Sequence, residues 1–134
     1  MEQQKIVNYL LDTRTFLLWI SDSSKLPPQV VKVIKDPDNT IFLSISSVRE
    51  MQVKSQIGRL DLPTSVLDIV VRQNQENGIE LLPISLAHMV ALTRIPTHHG
   101  DPFDYLLISQ SIVEDLTIIT RKPLIAKYPV KVMW

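Results

Sequence analysis

The sequence predicts a three-layer α/β/α domain with a central, mostly parallel sheet of about five strands. The chain has 134 residues, of which 45% are hydrophobic, so we expect one domain over residues 1–134 with a real core. Short, continuous apolar runs are typical of strands that are buried on both faces of a parallel sheet. Segments with helical spacing separate these runs, and this alternation predicts βαβ units.

The strands and helices follow from these patterns in chain order. We predict strands at residues 6–11, 41–45, 79–82, 116–120 and 130–134. Apolar residues at helical spacing predict helices around residues 16–20, 48–57, 66–71, 87–91 and 103–113. Gly58 and the Asn77-Gly78 pair predict helix ends. We interpret Pro27-Pro28 and residues 36–39 as loops.

Composition limits the classes of function. The sequence contains no cysteine, which excludes disulfides and thiolate zinc sites and favours a cytoplasmic protein. The apolar run after Met1 stops at Asp12, and we expect it to be neither a signal peptide nor a membrane span. Lysine and arginine together number 14, as do aspartate and glutamate. A nucleic-acid partner is therefore expected to be short or locally unpaired, because proteins that bind long duplexes are usually basic.

Acidic residues occur where the predicted strands end or the next helices begin. Asp12 follows the first strand, Glu50 lies shortly after the second, and Asp101 and Asp104 open the helix before the fourth. In a parallel sheet these positions share one edge, where ligands bind. Carboxylates gathered there repel each other unless a hard cation such as Mg²⁺ or Mn²⁺ takes their oxygens as ligands. Such an ion can activate water for attack on phosphorus.

Each acid also has an ordinary structural explanation. Ser47 and Glu50 have the spacing of a capping box. Asp101-Pro102 is typical of a helix start with Asp104 in its first turn, and Asp12 is placed to cap the helix that follows it. The sequence therefore leaves two interpretations open, helix caps and a metal site. The occurrence of acids at several such positions together is what favours the metal site.

Other candidate residues are weaker. His98 and His99 are adjacent and would point apart on an extended chain, and His88 is expected on a helix, at the surface or half-buried. No glycine-rich phosphate loop is present. Four basic residues lie close in sequence to the acids and are candidates for phosphate contact, namely Arg14, Arg49, Arg121 and Lys122. An ordinary solvated surface is the simpler explanation for Arg49.

The motifs taken together resemble the PIN-domain family, in particular VapC-type toxins. The similar segments are residues 9–19, 42–50, 60–63, 98–108 and 116–123, in the family's order and spanning about residues 6–134. The resemblance implies a homodimeric ribonuclease that uses Mg²⁺ or Mn²⁺ and is held inactive by a VapB-like antitoxin, which carries the contact to operator DNA. It also implies that Asp12, Glu50 and Asp104 are the metal ligands and catalytic acids, supported by Asp101 and Thr120.

Lys122 departs from the family pattern. A fourth acid commonly follows the fourth strand in a Thr-x-Asp setting, whereas this chain has Thr120-Arg121-Lys122. We expect the ammonium to weaken divalent-cation binding and to form a salt bridge with Asp104 or Asp101. Glu114 and Asp115 precede the strand and therefore cannot substitute.

Two other functions remain to be weighed. A catalytically weakened PIN domain that acts mainly by binding its antitoxin is favoured by Lys122. A phosphorelay receiver would share an acid, a hydroxyl and a lysine with this chain, but Thr13 follows Asp12 and no aspartate follows the third predicted strand. The receiver is therefore the weakest of the three hypotheses.

Overall fold

The computed structural model describes residues 7–96 and 100–134, which form five strands and seven helices. The strands are β1 (Asn8–Leu11), β2 (Thr40–Ser44), β3 (Glu80–Leu82), β4 (Thr117–Ile119) and β5 (Lys131–Met133). The helices are α1 (Thr13–Ser21), α2 (Pro28–Lys35), α3 (Ile45–Gln56), α4 (Val66–Asn77), α5 (Leu86–Leu92), α6 (Pro102–Glu114) and α7 (Pro123–Ala126). A 3₁₀ turn at Ser23–Lys25 joins α1 to α2.

The sheet is parallel throughout, with the strand order β3-β2-β1-β4-β5. β1 lies in the centre and pairs with β2 on one side, Leu11 opposite Leu43, and with β4 on the other, Leu11 opposite Ile119. The predicted fold class and all five predicted strands are confirmed. Because the chain runs outward from β1 through β2 and β3 and then returns to β4, the order of strands reverses beside β1, where parallel sheets form a ligand-binding crevice.

Alternation along the central strands creates two cores. Leu11 and Ile119 face a cluster that includes Phe16 of α1 and Met51 of α3. Their neighbours Leu10 and Ile118 face the opposite cluster, which contains residues of α6 and Ile125 of α7. Successive side chains of a strand point to opposite faces, so helices cover the sheet on both sides and the three layers follow.

Local sequence determines most helix ends. Asp12 caps α1 by accepting from the Thr15 amide at 2.7 Å, and Ser44 caps α3 by accepting from the Ser46 amide at 3.0 Å. Asp101 caps α6, with Pro102 as the first helical residue. Helix α4 ends at Gly78, whose φ of +68° is a left-handed conformation that glycine adopts without steric cost. Three of the site candidates therefore stand at or next to helix starts.

Three details differ from the expectations. Pro28 begins a helix instead of belonging to a loop, and Pro123 likewise begins α7; proline is well suited to the first turn, where its missing N–H is not needed. His88 is buried, not superficial, because its ring lies between α5 and α6 among polar partners. Helix α3 begins three residues earlier than a Ser47 cap would require.

A buried polar chain joins β2 to α5 and α6. Ser44 donates to Oε1 of Gln110 at 2.6 Å, and Nε2 of Gln110 donates to the Pro83 carbonyl at 3.3 Å. Nδ1 of His88 accepts from the Ser85 amide at 3.0 Å, while its Nε2 lies 3.1 Å from Oε1 of Glu114. Within the part of the chain described, every buried side-chain nitrogen and oxygen has a hydrogen-bond partner.

We predict that Ser44→Ala lowers the free energy of unfolding by about 2–3 kcal/mol, because it removes a helix cap and leaves the buried Gln110 oxygen without a donor. Urea unfolding measures the change. Ser65→Ala is the matched control, since Ser65 caps α4 at an exposed position and accepts from the Asp68 amide at 3.1 Å. The control should lose only about 1 kcal/mol, and equal losses would contradict a role for the Ser44–Gln110 bond.

Candidate active site

Asp12 lies at the centre of the carboxyl edge of the sheet. It directly follows β1, is buried, and its backbone amide donates to the Ile119 carbonyl at 3.2 Å. Oδ1 accepts from the Thr15 amide, and Oδ2 accepts from the Thr120 hydroxyl at 2.5 Å. Among the described residues, both hydrogen-bond donors to this carboxylate are neutral groups. They stabilise the negative charge of Asp12 but do not cancel it.

Glu50 reaches the same edge from α3. It is buried in the second turn of the helix, six residues after the Ser44 cap. The capping-box interpretation is therefore wrong: Oε1 lies 2.7 Å from the Thr13 hydroxyl, and Oε2 pairs with Lys54 one turn later. Since Thr13 follows Asp12, this bond ties the second acid to the residue beside the first.

Asp104 enters from the first turn of α6 and is paired with Lys122. Its side chain is 5% exposed, and both oxygens accept from Nζ of Lys122, at 3.1 and 2.9 Å. The salt bridge expected from the sequence is confirmed, with Asp104 as the partner. The backbone amide of Lys122 also donates to the Thr120 hydroxyl at 3.0 Å, so Thr120 connects the loop of Lys122 to Asp12.

The charges of all three acids act on this lysine. Burial lowers the pKa of Lys122, but the hydrogen bonds and charge of Asp104, with the charges of Asp12 and Glu50, outweigh burial and raise it above the ordinary value. Burial also raises the pKa of Asp104, and the negative charges of Asp101 and Glu50 add to that shift against the opposing Lys122. The upward shift of the Lys122 pKa indicates a strongly negative setting at this edge of the sheet, whereas that of the Asp104 pKa is caused first by burial.

The donor set suits a hard divalent cation. The three acids offer carboxylate oxygens only, which are the ligands that Mg²⁺ and Mn²⁺ prefer, and the surplus negative charge favours a further cation. Within residues 7–96 and 100–134, no group of three or more histidine, aspartate and glutamate side chains is arranged to hold a metal ion. The structure instead gives Asp104 and Glu50 the ammonium groups of Lys122 and Lys54. The assignment of Asp12, Glu50 and Asp104 as metal ligands stays a prediction.

The other sequence candidates are placed around this crevice or away from it. Asp101 caps α6 by accepting from the Phe103 amide at 2.9 Å, and its charge acts on Asp104. Arg14, Arg49 and Arg121 are exposed. His98 and His99 lie outside the described residues. Glu114 and Asp115, at the amino end of β4, pair with His88 and Lys131, so neither serves as the fourth acid.

Sequence reasoning missed the groups that support Glu50. Thr13 and Ser47 are buried with their hydroxyl oxygens 2.9 Å apart, and Thr13 is also bonded to Glu50. Since a hydroxyl carries one proton, the carboxylate receives the Thr13 proton and Ser47 donates to Thr13. Lys54, four residues after Glu50, was a recognisable signal, because acid and lysine at this spacing lie on one helix face.

A separate apolar groove of about 450 Å³ lies between α1, the segment before α4, and α4. Its lining includes Leu17, Ile20, Leu62 and Ile69, with Arg72 among the polar members. None of the three acids lines it. The groove is therefore a surface distinct from the acidic crevice.

The fold matches solved structures, although no family model and no curated protein sequence matches this chain. VapBC2 from Rickettsia felis, bound to a DNA fragment from its promoter, is 16% identical with a TM-score of 0.74 over 96% of this chain and 99% of that one. DNA-bound VapBC from Salmonella typhimurium is 12% identical with a TM-score of 0.70 over 96% and 98%. The PIN domain endonuclease Utp24 is 13% identical with a TM-score of 0.51 over 90% and 74%.

These matches define the class of protein as one with the PIN fold, which the endonuclease Utp24 also has. Among the neighbours, chains of the VapBC complexes match over nearly the full length of both chains. The expected resemblance to VapC-type PIN domains is confirmed at the level of the fold. No helix among the described residues is long and apolar enough to cross a membrane.

We predict that Thr120→Val destabilises the protein by about 1–3 kcal/mol, because one oxygen of the buried Asp12 loses its donor. Thr120→Ser, which keeps the hydroxyl, is the matched control and should lose less than half as much. Guanidinium unfolding compares the two variants. A Thr120→Val protein as stable as Thr120→Ser would show that the bond to Asp12 contributes nothing.

Proposed function

We propose that this chain is the endoribonuclease toxin of a toxin–antitoxin pair, hydrolysing RNA phosphodiesters at a Mg²⁺ or Mn²⁺ site held by carboxylates. The observation that carries the proposal is that Asp12, Glu50 and Asp104 are buried at the carboxyl edge of a parallel sheet, with Lys122 paired to Asp104 and subject to the charges of the other two. The PIN fold supports a nuclease, since Utp24, an endonuclease, shares it. Crevices at this edge are where open α/β sheets bind their ligands.

Each residue has an assigned role. Asp12, Glu50 and Asp104 would hold the ion, which when bound would supply an activated water and stabilise charge at phosphorus. Thr120 orients Asp12 through its hydrogen bond, and Asp101 holds the start of α6 in place. Arg14 and Lys122, at the rim, would meet the phosphate of the RNA. Because the chain has no net charge, we assign it a short or unpaired RNA substrate.

The partner we propose is a VapB-like antitoxin, through which alone the toxin would reach operator DNA. The support comes from the VapBC complexes among the structural neighbours, two of them bound to DNA. The apolar groove between α1 and α4 is the surface that we assign to an apolar segment of this partner. The absence of cysteine supports a cytoplasmic setting.

We also propose a homodimer formed through α5 and α6. These helices expose apolar side chains to solvent, among them Leu86 at 80%, Val90 at 48% and Ile112 at 42%. In an isolated monomer this apolar face stays exposed to water, which is unfavourable. Packing against a second copy would bury the face on both chains.

We predict that Asp104→Asn abolishes toxicity and RNA cleavage while the protein stays folded. Asparagine keeps the shape but loses the charge that a hard cation needs. The lost charge at the helix start costs only about 0.3–1 kcal/mol, and Lys122, whose side chain is 34% exposed, can turn to solvent when its partner is neutral. Cleavage of labelled RNA with Mn²⁺, with and without EDTA, measures activity. Asp115→Asn is the control, because Asp115 lies at the other end of β4 and pairs with the exposed Lys131. Cleavage retained by folded Asp104→Asn would exclude the metal role.

We predict that light scattering at micromolar concentration gives the mass of a dimer without antitoxin. Leu86→Glu should give the mass of a monomer, since it places a charge in the apolar face. Leu67→Glu is a matched control, because Leu67 is also exposed, at 57%, but lies on α4. A wild-type monomer, or a dimer unaffected by Leu86→Glu, would contradict the interface.

The second candidate function is a catalytically weakened PIN domain that acts mainly as an antitoxin-binding regulatory protein. The specific observation in its favour is that Lys122 occupies both oxygens of Asp104. Growth arrest on expression of the chain alone, lost in Asp104→Asn, supports the active toxin. Full growth together with tight antitoxin binding supports the regulatory protein.

A further inference from the structure

Lys122 holds the position that a cation would take beside Asp104. Its Nζ lies 2.9 and 3.1 Å from the two carboxylate oxygens, and the charges of Asp12 and Glu50 also act on it. An ammonium and a divalent ion that use the same oxygens exclude each other. The two cations therefore compete for Asp104 if both approach it from the crevice.

Charge at Asp104 itself favours exchange over simple addition. Asp104 carries one negative charge and already pairs through both oxygens with the ammonium of Lys122. A divalent ion added beside that ammonium would place two cations against the same carboxylate, where like charges repel strongly. Departure of the ammonium removes this repulsion.

The geometry provides a way out for the lysine. Its side chain is 34% exposed, whereas that of Asp104 is 5% exposed. The ammonium thus approaches from the solvent side, and its departure requires rotation of its own side chain without opening the core. The backbone stays in place, because the Lys122 amide remains bonded to the Thr120 hydroxyl.

We propose that Lys122 is a tethered counterion that a divalent cation must displace from Asp104, so that metal binding by this chain is an exchange between two cations. The inference rests on the proposed function, since it takes the three acids as metal ligands. In the metal-free protein Lys122 keeps the crevice folded and lowers its affinity for the ion. After exchange the freed ammonium lies at the rim, where the phosphate of an RNA strand arrives.

The test is calorimetric titration of the full chain with Mn²⁺, comparing wild type, Lys122→Gln and Lys122→Arg. Lys122→Gln removes the competing charge and should bind Mn²⁺ at least about tenfold more tightly, equivalent to about 1.4 kcal/mol. Lys122→Arg keeps the charge and should bind no more tightly than wild type. Lys131→Gln, which removes a lysine from the opposite end of the sheet, controls for overall charge and should match wild type.

Stability gives a second, independent readout. Without metal, Lys122→Gln should melt at a lower temperature than wild type, because Asp104 is left buried without its partner. Saturating Mn²⁺ should close this gap. If Lys122→Gln does not fold in EDTA, Mn²⁺ should restore its circular-dichroism spectrum, and failure to do so overturns the proposal.

The outcomes separate this inference from the proposed function. Equal or weaker Mn²⁺ binding by Lys122→Gln, together with Mn²⁺-dependent RNA cleavage by wild type, overturns the exchange and leaves the nuclease standing. Tighter binding by Lys122→Gln, with no RNA cleaved by either protein, supports the exchange and overturns the nuclease. No Mn²⁺ binding to any of the proteins overturns both.

Discussion

Repulsion among three buried carboxylates is the constraint on which the arrangement of the carboxyl edge depends. Asp12 caps α1, Glu50 lies in the second turn of α3 and Asp104 in the first turn of α6, all at one edge of the sheet. A low-dielectric setting makes their uncompensated charge costly. The protein compensates with different donors among the residues described: a backbone amide and a threonine hydroxyl at Asp12, a hydroxyl and an ammonium at Glu50, and an ammonium at Asp104. The need to give each carboxylate a hydrogen-bond donor or a positive charge therefore determines which residues surround the three acids.

The sheet order explains why these acids meet at all. β1 is central, so the residue after it lies between the loops that follow β2 and β4. Thr120, after β4, reaches Asp12 from one side, while Thr13, just after Asp12, reaches Glu50 on the other. The same order places Ser44 at the end of β2, where it caps the helix that carries Glu50 and bonds to Gln110 of the helix that carries Asp104. Fold stability and site geometry therefore share residues.

The sequence was sufficient for the sheet and for the placement of the acids at its carboxyl edge, and insufficient for their surroundings. Apolar runs specify parallel strands because burial on both faces leaves little freedom in residue type, and all five were predicted. The early start of α3 escaped prediction because Ser44, Ser46 and Ser47 all suit a cap, and only the bond to Gln110 from a distant helix selects Ser44. Burial of His88 also escaped prediction, because its polar partners Gln110 and Glu114 lie on a helix that is distant in sequence. The pairing of Lys122 with an acid at the start of α6 was predictable, since Lys122 follows β4, α6 begins at the same edge of the sheet, and the charges are opposite.

The separation in sequence of the two ion pairs has a consequence for the order of folding. Lys54 is four residues from Glu50 and Lys122 is eighteen from Asp104, whereas the bond from Thr120 to Asp12 spans 108 residues. Local contacts form faster than distant ones, because they close shorter loops. Glu50 and Asp104 would thus acquire their ammonium partners before β4 docks beside β1 and brings the acids together. The chain can complete its sheet without waiting for an ion from solution.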